Sequence, residues 1–363
     1  MASRLNLFCL QLLISFLLLL GKNLANAEPQ VPCYFIFGDS LSDSGNNNFL
    51  NTSAKVNYRP NGIDFPRGVP TGRFCNGEHM QDFIVKHLGF RSYIIPFKKA
   101  IGKSTILILE GVNYASGAAG ILDESGRTQG ERISMNQQLR YHKIIVSKIR
   151  LKLGNSRAKT LLSQCIYSLQ IGSNDYLNNY FLPQFYNTSS QYTPEEFAEL
   201  LVDKYSKQIK SLYDEGARKM AIYGVGTLGF IPITLAACGN NASCTAELNR
   251  NSALFNDKLK PVIQQLNANL TDAKFTYLNP APTEADIAAS GFTILGEPCC
   301  KIGGGGGELC VRNSRPCNNR TQYIFWDGAH PTKAWNNLTA GIAFASQSSS
   351  DADPFNIQEL AQQ

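Results

Sequence analysis

Five short stretches of the chain are apolar with little interruption: residues 34–37, 111–115, 165–171, 219–225 and 274–278. Each is bounded on at least one side by Gly, Asn, Ser or Pro. A strand with one wet face alternates. Near-continuous runs of Val, Ile, Phe, Tyr and Leu predict strands covered on both faces, hence a parallel sheet. Between these runs the period changes. Apolar residues recur at helical spacing over residues 135–153. Thr193 followed by Pro194-Glu195-Glu196 predicts a capped helix running to about Asp214. Residues 246–267 and 332–345 form two further predicted helices. Strand and helix in alternation predict an α/β domain with helices on both faces of the sheet. No internal repeat and no linker rich in Pro and Ser divides the chain, so residues 28–363 are expected to form one domain. The mostly polar tail after Ala345 is expected to fray.

Composition narrows the picture. Of 363 residues, 43% are hydrophobic and 17% charged, which supplies a sizeable core and excludes disorder for most of the chain. The formal charge of +6 is spread out, with no run of five Lys or Arg, and a nucleic-acid partner is not indicated. Residues 1–27 stand apart. Arg4 precedes an apolar stretch from Leu7 to Leu20, and Ala25-Asn26-Ala27 places small residues where a signal peptidase reads. This pattern predicts a secretory signal peptide, and the stretch is too short for a membrane anchor. No other segment approaches a spanning length, so no integral membrane segment is expected after cleavage. Six Asn-x-Ser/Thr sequons, at Asn51, Asn187, Asn241, Asn269, Asn319 and Asn337, fit a secreted glycoprotein. Cys9 leaves with the signal. The nine remaining cysteines should mostly pair and leave at least one over. Cys238 and Cys244 flank a turn and are a plausible local bridge, and Cys299, Cys300, Cys310 and Cys317 are placed to make two more. Zinc is a weak reading of that cluster, because no Cys-x-x-Cys occurs and His330 is its only nearby histidine.

In open α/β sheets the site lies at the carboxyl ends of the strands. The residues just beyond each run are therefore informative. After the first run comes Gly38-Asp39-Ser40, after the second Ser116-Gly117-Ala118-Ala119-Gly120, and after the third Gly172-Ser173-Asn174-Asp175. Asp327-Gly328-Ala329-His330 stands before the last helix. A serine on a tight turn at a strand end is a candidate nucleophile if a base lies within reach. His330 is the candidate base, and Asp327, three residues earlier, is placed to orient its imidazole. An oxyanion needs convergent donors. The Ser40 N–H, the N–H of Gly117 or Gly120 and the Asn174 amide are the candidates. Singly these strings are turns or caps, but their combination and order point to acyl transfer. His79, His87 and His142 are assigned no role.

At these residues the chain resembles the plant GDSL esterase/lipase family of the SGNH hydrolase superfamily. The resemblance runs from Val31-Pro32-Cys33-Tyr34-Phe35-Ile36-Phe37-Gly38-Asp39-Ser40 through Pro70-Thr71-Gly72-Arg73-Phe74, Asn113-Tyr114-Ala115-Ser116 and Ile171-Gly172-Ser173-Asn174-Asp175-Tyr176 to Phe325-Trp326-Asp327-Gly328-Ala329-His330-Pro331. It implies a three-layer α/β/α sandwich with a flavodoxin-like parallel sheet. It also implies a Ser40–His330–Asp327 triad and an oxyanion hole of Ser40, Gly120 and Asn174, Gly120 being the family's usual position. No metal or organic cofactor is implied. The expected function is a secreted, monomeric ester hydrolase acting on lipid acyl esters or small acyl and acetyl esters. The alternatives are an acyltransferase using the same acyl-enzyme, or a non-catalytic binding protein of the same fold. Gly328-Ala329 stands where the family has bulkier residues and would loosen the wall near His330. Gly224-Val225-Gly226-Thr227-Leu228-Gly229 matches a dinucleotide fingerprint in spelling. It is not in the first βα unit, and Pro232 comes soon after, so a nucleotide site is not expected. Gly303–Gly307 lacks the Lys-Ser/Thr of a phosphate loop and reads as a surface segment.

Overall fold

The computed structural model describes residues 28–102, 105–239, 241–303 and 308–363. The segment read as a signal peptide and residues 304–307 of the glycine run lie outside the described residues.

Strands β1 (Tyr34–Gly38), β2 (Ile166–Gln170), β3 (Lys219–Tyr223) and β4 (Lys274–Leu278) form a parallel sheet in that order. The run at 111–115 does not make a full strand. It lies beside the free edge of β1, where the Ile36 N–H donates to Val112 O and the Tyr114 N–H to Ile36 O, a parallel bridge at a single position. Gly111 bends it with φ +116°, and a Cβ there would lie 1.9 Å from Tyr34 O. Counting that segment as second in the chain, the spatial order is 2-1-3-4-5, the flavodoxin-like order. The strand order reverses between β1 and β2, and a site is expected at their carboxyl ends.

Side chains leave the two faces alternately. Phe35, Phe37, Leu169, Ile222 and Phe275 meet helices Met135–Leu153, Pro194–Asp214 and Ala242–Asn269 through Ile145, Leu201, Tyr205, Phe255 and Leu259. Tyr34, Ile36, Ala221, Tyr223 and Leu278 meet helices Met80–His87, Lys333–Ala345 and Ile357–Gln362 on the other face. The result is a three-layer α/β/α sandwich. Thr193 and Glu196 form a full capping box at the start of the 194–214 helix.

The tail departs from expectation. It folds back as β7 (Ala352–Asp353), antiparallel to β4, and ends in a helix that buries Ile357 and Leu360 completely. Its apolar residues are few but correctly spaced to reach the core. A two-stranded ribbon, β5 (Ile294–Pro298) with β6 (Tyr323–Phe325), lies outside the main sheet. Beside it the bridges Cys299–Cys317 and Cys300–Cys310 enclose fully buried Trp326. Cys238–Cys244 closes the turn as expected. Cys33–Cys165 joins the starts of β1 and β2, and Cys75 is the unpaired cysteine among the described residues.

Candidate active site

Gly38 ends β1 because a Cβ there would stand 2.6 Å from Gln170 O of the neighbouring strand. The chain then turns sharply. The Asp39 carboxylate accepts the Leu41 N–H at 3.0 Å, and Asp39 O accepts the Ser42 N–H. Ser40, at the apex, is partly exposed and lines a cavity of about 670 Å³. Burial raises the Asp39 carboxyl to about 7, against its bond from Leu41 and the charge of His330.

Asn174 lies one strand away, after β2. Gly172 makes the reversal with φ +132°, packed on Val225. The Asn174 Nδ2 donates to Ala119 O at 3.0 Å, and because a carbonyl only accepts, this contact identifies the amide's nitrogen side. Asn178 Nδ2 donates to Asn174 Oδ1 at 2.6 Å and locks the other side. One N–H of the Asn174 amide is left for a ligand.

Two carboxylates to which the motifs gave no role hold these loops together. Asp43 accepts the N–H groups of Gly45, Asn46, Asn47 and Gly117. Asp175 accepts those of Ile121 and Leu122 and the Ser125 hydroxyl. Burial raises each to about 6, opposed by these bonds. Their visible signal was an acid beside Gly and Asn, the composition of a turn that bonds its own backbone.

The same contacts bear on the third expected donor. Gly117 commits its N–H to Asp43 at 3.2 Å. Gly120 is wedged against Ser125 and Asp175, with no room for a Cβ. Neither glycine lines the cavity, whereas Ala118 does, and Ala118 holds φ +64°. Such a backbone is uncommon for a residue with a Cβ. A search for glycine in the sequence overlooks it.

Asp327 and His330 sit on a turn after β6. Asp327 Oδ1 accepts the N–H groups of Ala329 (3.0 Å) and His330 (2.8 Å), and its two oxygens lie 2.9 and 3.0 Å from His330 Nδ1. Asp327 is fully buried. Phe74, from the Pro-Thr-Gly-Arg-Phe stretch, packs on the His330 ring with centroids 4.9 Å apart. Burial alone would lower the His330 pKa. Asp327, then Glu308 and Asp39, outweigh it and raise the pKa above the usual 6.5. Nδ1 facing a carboxylate leaves Nε2 as the ring's acceptor, and His330 lines the same cavity as Ser40. The two side chains are not hydrogen-bonded in this structure, a separation common before substrate binds.

The wall beside His330 is tight, against expectation. A Cβ on Gly328 would stand 2.6 Å from Ile233 Cγ2 and 2.9 Å from Glu308 O. Of the fingerprint-like glycines after β3, Gly224 and Gly229 are packing positions, whereas a Cβ on Gly226 would meet nothing within 4 Å. The Val225 and Gly229 N–H groups are taken by Asn256 and Asn249 of the 242–269 helix.

A second Ser–His–Asp cluster, Ser44–His79–Asp82, has a different character. His79 Nδ1 accepts the Asp82 N–H at 3.2 Å, which makes Nε2 the protonated nitrogen. It cannot then take a proton from Ser44, 3.4 Å away. Arg73 neutralises Asp82 through two bonds of 2.7 and 2.8 Å, and burial lowers the His79 pKa to about 4. This cluster caps a helix. His142 is buried under β1 against Phe35 and Tyr114, and His87 stacks on Phe344 at the surface.

A family model described as GDSL-like lipase/acylhydrolase matches residues 34–341. Three proteins of Arabidopsis thaliana are similar over nearly their whole length. GDSL esterase/lipase At1g29670 is 46% identical over 93% of each chain. GDSL esterase/lipase At1g29660 is 46% identical over 100% of each chain, and GDSL esterase/lipase At5g45670 is 44% identical over 99% of each. The chain belongs to the GDSL-like lipase/acylhydrolase family. Its activity is that of a GDSL-type carboxylic ester hydrolase.

Proposed function

We propose that the protein is a secreted serine esterase that works through an acyl-serine intermediate. One observation carries the reading. Ser40, the Asn174 amide and a carboxylate-supported His330 all line one apolar cavity at the strand-order reversal. In this reading His330 Nε2 removes the Ser40 proton as Oγ attacks the ester carbonyl, and Asp327 stabilises the imidazolium. The oxyanion takes the Ser40 N–H and the free N–H of Asn174. Ala118 N–H is the third donor in place of Gly120, because Ala118 lines the cavity and neither Gly117 nor Gly120 does. His330 then protonates the leaving alcohol, and water repeats the sequence to free the acid.

The cavity supports an acyl chain of lipid type over an acetyl group. Leu41, Leu177, Leu228, Ile231 and Leu235 line it, far more surface than an acetyl group covers. Secretion is supported by four disulfides and by exposure of all six sequon asparagines. Among the described residues no helix is long and apolar enough to cross a membrane. The single domain over 28–363 is supported by helices from both ends packing on one sheet. Hydrolysis of p-nitrophenyl acetate, butyrate and palmitate by the mature protein and by Ser40→Ala tests the reading. The variant should lose on the order of 10⁴-fold in kcat. Retention of most activity by folded Ser40→Ala would refute it.

A further inference from the structure

We infer that Glu308 is a specificity-determining residue that binds hydroxyl groups of the leaving alcohol and so directs the enzyme to acyl esters of polyhydroxy alcohols. This rests on the assignment of Ser40 and His330 above.

The geometry begins with the backbone. Glu308 O accepts the Gly328 N–H at 2.7 Å, and a Cβ on Gly328 would collide with Glu308. Leu309 packs against the cluster of Ala54, Phe74 and Ala118, and Cys310 is bridged to Cys300. The residue is clamped beside the turn that carries His330. Its half-buried side chain lines the cavity, within electrostatic reach of His330 and Asp327. No described residue gives that carboxylate a hydrogen bond or an ion pair, although the surrounding wall is largely apolar. A partly desolvated carboxylate without a partner is unfavourable, and a ligand donor relieves it.

Reaction geometry says which part of a substrate arrives there. The base that takes the Ser40 proton returns it to the alcohol oxygen, so the leaving alcohol occupies the His330 side of the nucleophile. Asn174, Leu177 and Leu228 follow β2 and β3, on the side of the nucleophile away from the 111–115 segment and its Ala118. Glu308, fixed beside the turn that carries His330, is therefore placed toward the alcohol. The charges on the lining select the alcohol further. Asp39, Glu284 and Glu308 are acidic, and no Lys or Arg lines the cavity. A phosphate on the alcohol would be repelled, whereas hydroxyl groups can donate to carboxylate oxygens.

The test compares two soluble esters with one acyl group, glycerol monobutyrate and methyl butyrate. Both are offered to the mature wild type, Glu308→Ala, Glu308→Gln and Ser40→Ala above the His330 titration. The readout is the ratio of kcat/KM for the glycerol ester to that for the methyl ester, which cancels any change common to both. Loss of a hydrogen bond to a charged group predicts a fall of roughly tenfold to a hundredfold in this ratio for Glu308→Ala. Glu308→Gln, which keeps an acceptor oxygen, should retain most of it. A ratio unchanged in Glu308→Ala, or rates that fall equally on both esters, would overturn the role of Glu308 alone. Wild-type rates in Ser40→Ala would overturn the serine mechanism and this inference with it.

Discussion

Asn178 lines the cavity without a part in the proposed chemistry, yet its amide decides which way Asn174 points. Asn174→Ala should lower kcat roughly 10²–10³-fold if its amide serves the oxyanion. Asn178→Ala should give a smaller loss, also in kcat with KM little changed, because it frees the Asn174 amide to rotate. Steady-state kinetics on one p-nitrophenyl ester would separate the two. For His330 the sign of the pH effect comes from its neighbours. Its carboxylate partners favour the imidazolium, and only the neutral ring can act as base. As pH falls the ring protonates, so the acid limb of kcat/KM should have its midpoint above 6.5. A midpoint below 6 would contradict that electrostatic account. At this scale the side chains that meet in the cavity, Ser40, Asn174 and His330, could be picked out in the sequence because the proposed chemistry needs particular side chains after strand-like runs. Ala118 was not, since a backbone N–H leaves no mark in the sequence and its direction depends on φ. Asn178 and Glu308 were hidden because an Asn or a Glu in a loop has many uses.

Elements built from local pattern were read well. The 135–153 and 194–214 helices have the expected limits, and β4 coincides with its apolar run. What failed was pattern under tertiary control. The 111–115 run is apolar enough for a strand, but Gly111 bends it with φ +116° and leaves a bridge to β1 only at Asn113. β5 and β6 have mixed lettering because they are only half covered. Their ribbon and its two disulfides have a definite task, since the turn bearing Asp327 and His330 emerges directly from β6. Cys300→Ala/Cys310→Ala should therefore lower kcat at 25 °C while the far-UV circular dichroism of the main sandwich persists. The same pair should lose about 3 kcal/mol in the chain-entropy account of a short loop. Chemical denaturation, monitored beside activity, would reveal whether the two losses separate.

The whole molecule distributes its work between its two faces. Helices of one face are long and carry most of the aromatic core, while the other is closed by shorter pieces, the last of them the C-terminal helix. That helix, expected to be loose, buries Leu360 fully. Leu360→Ala should destabilise the fold by about 2–5 kcal/mol, measured by urea unfolding, and leave kcat near wild type. Loss of kcat at full stability would mean the tail touches the site by a path not visible in the packing. The layering was legible in the alternation of periods. The closing role of the tail was not, because a few spaced apolar residues among polar ones look the same in a frayed end and in a docked helix.

The nested bridges Cys300–Cys310 and Cys299–Cys317 bear on how the protein withstands proteolysis. Any peptide bond between residues 301 and 309 lies inside two covalent rings. A protease that cuts there releases nothing, since both new ends stay tied on either side of Trp326. The nicked molecule would migrate as one chain until reduced, with the piece that carries His330 still tied to the piece that carries Ser40.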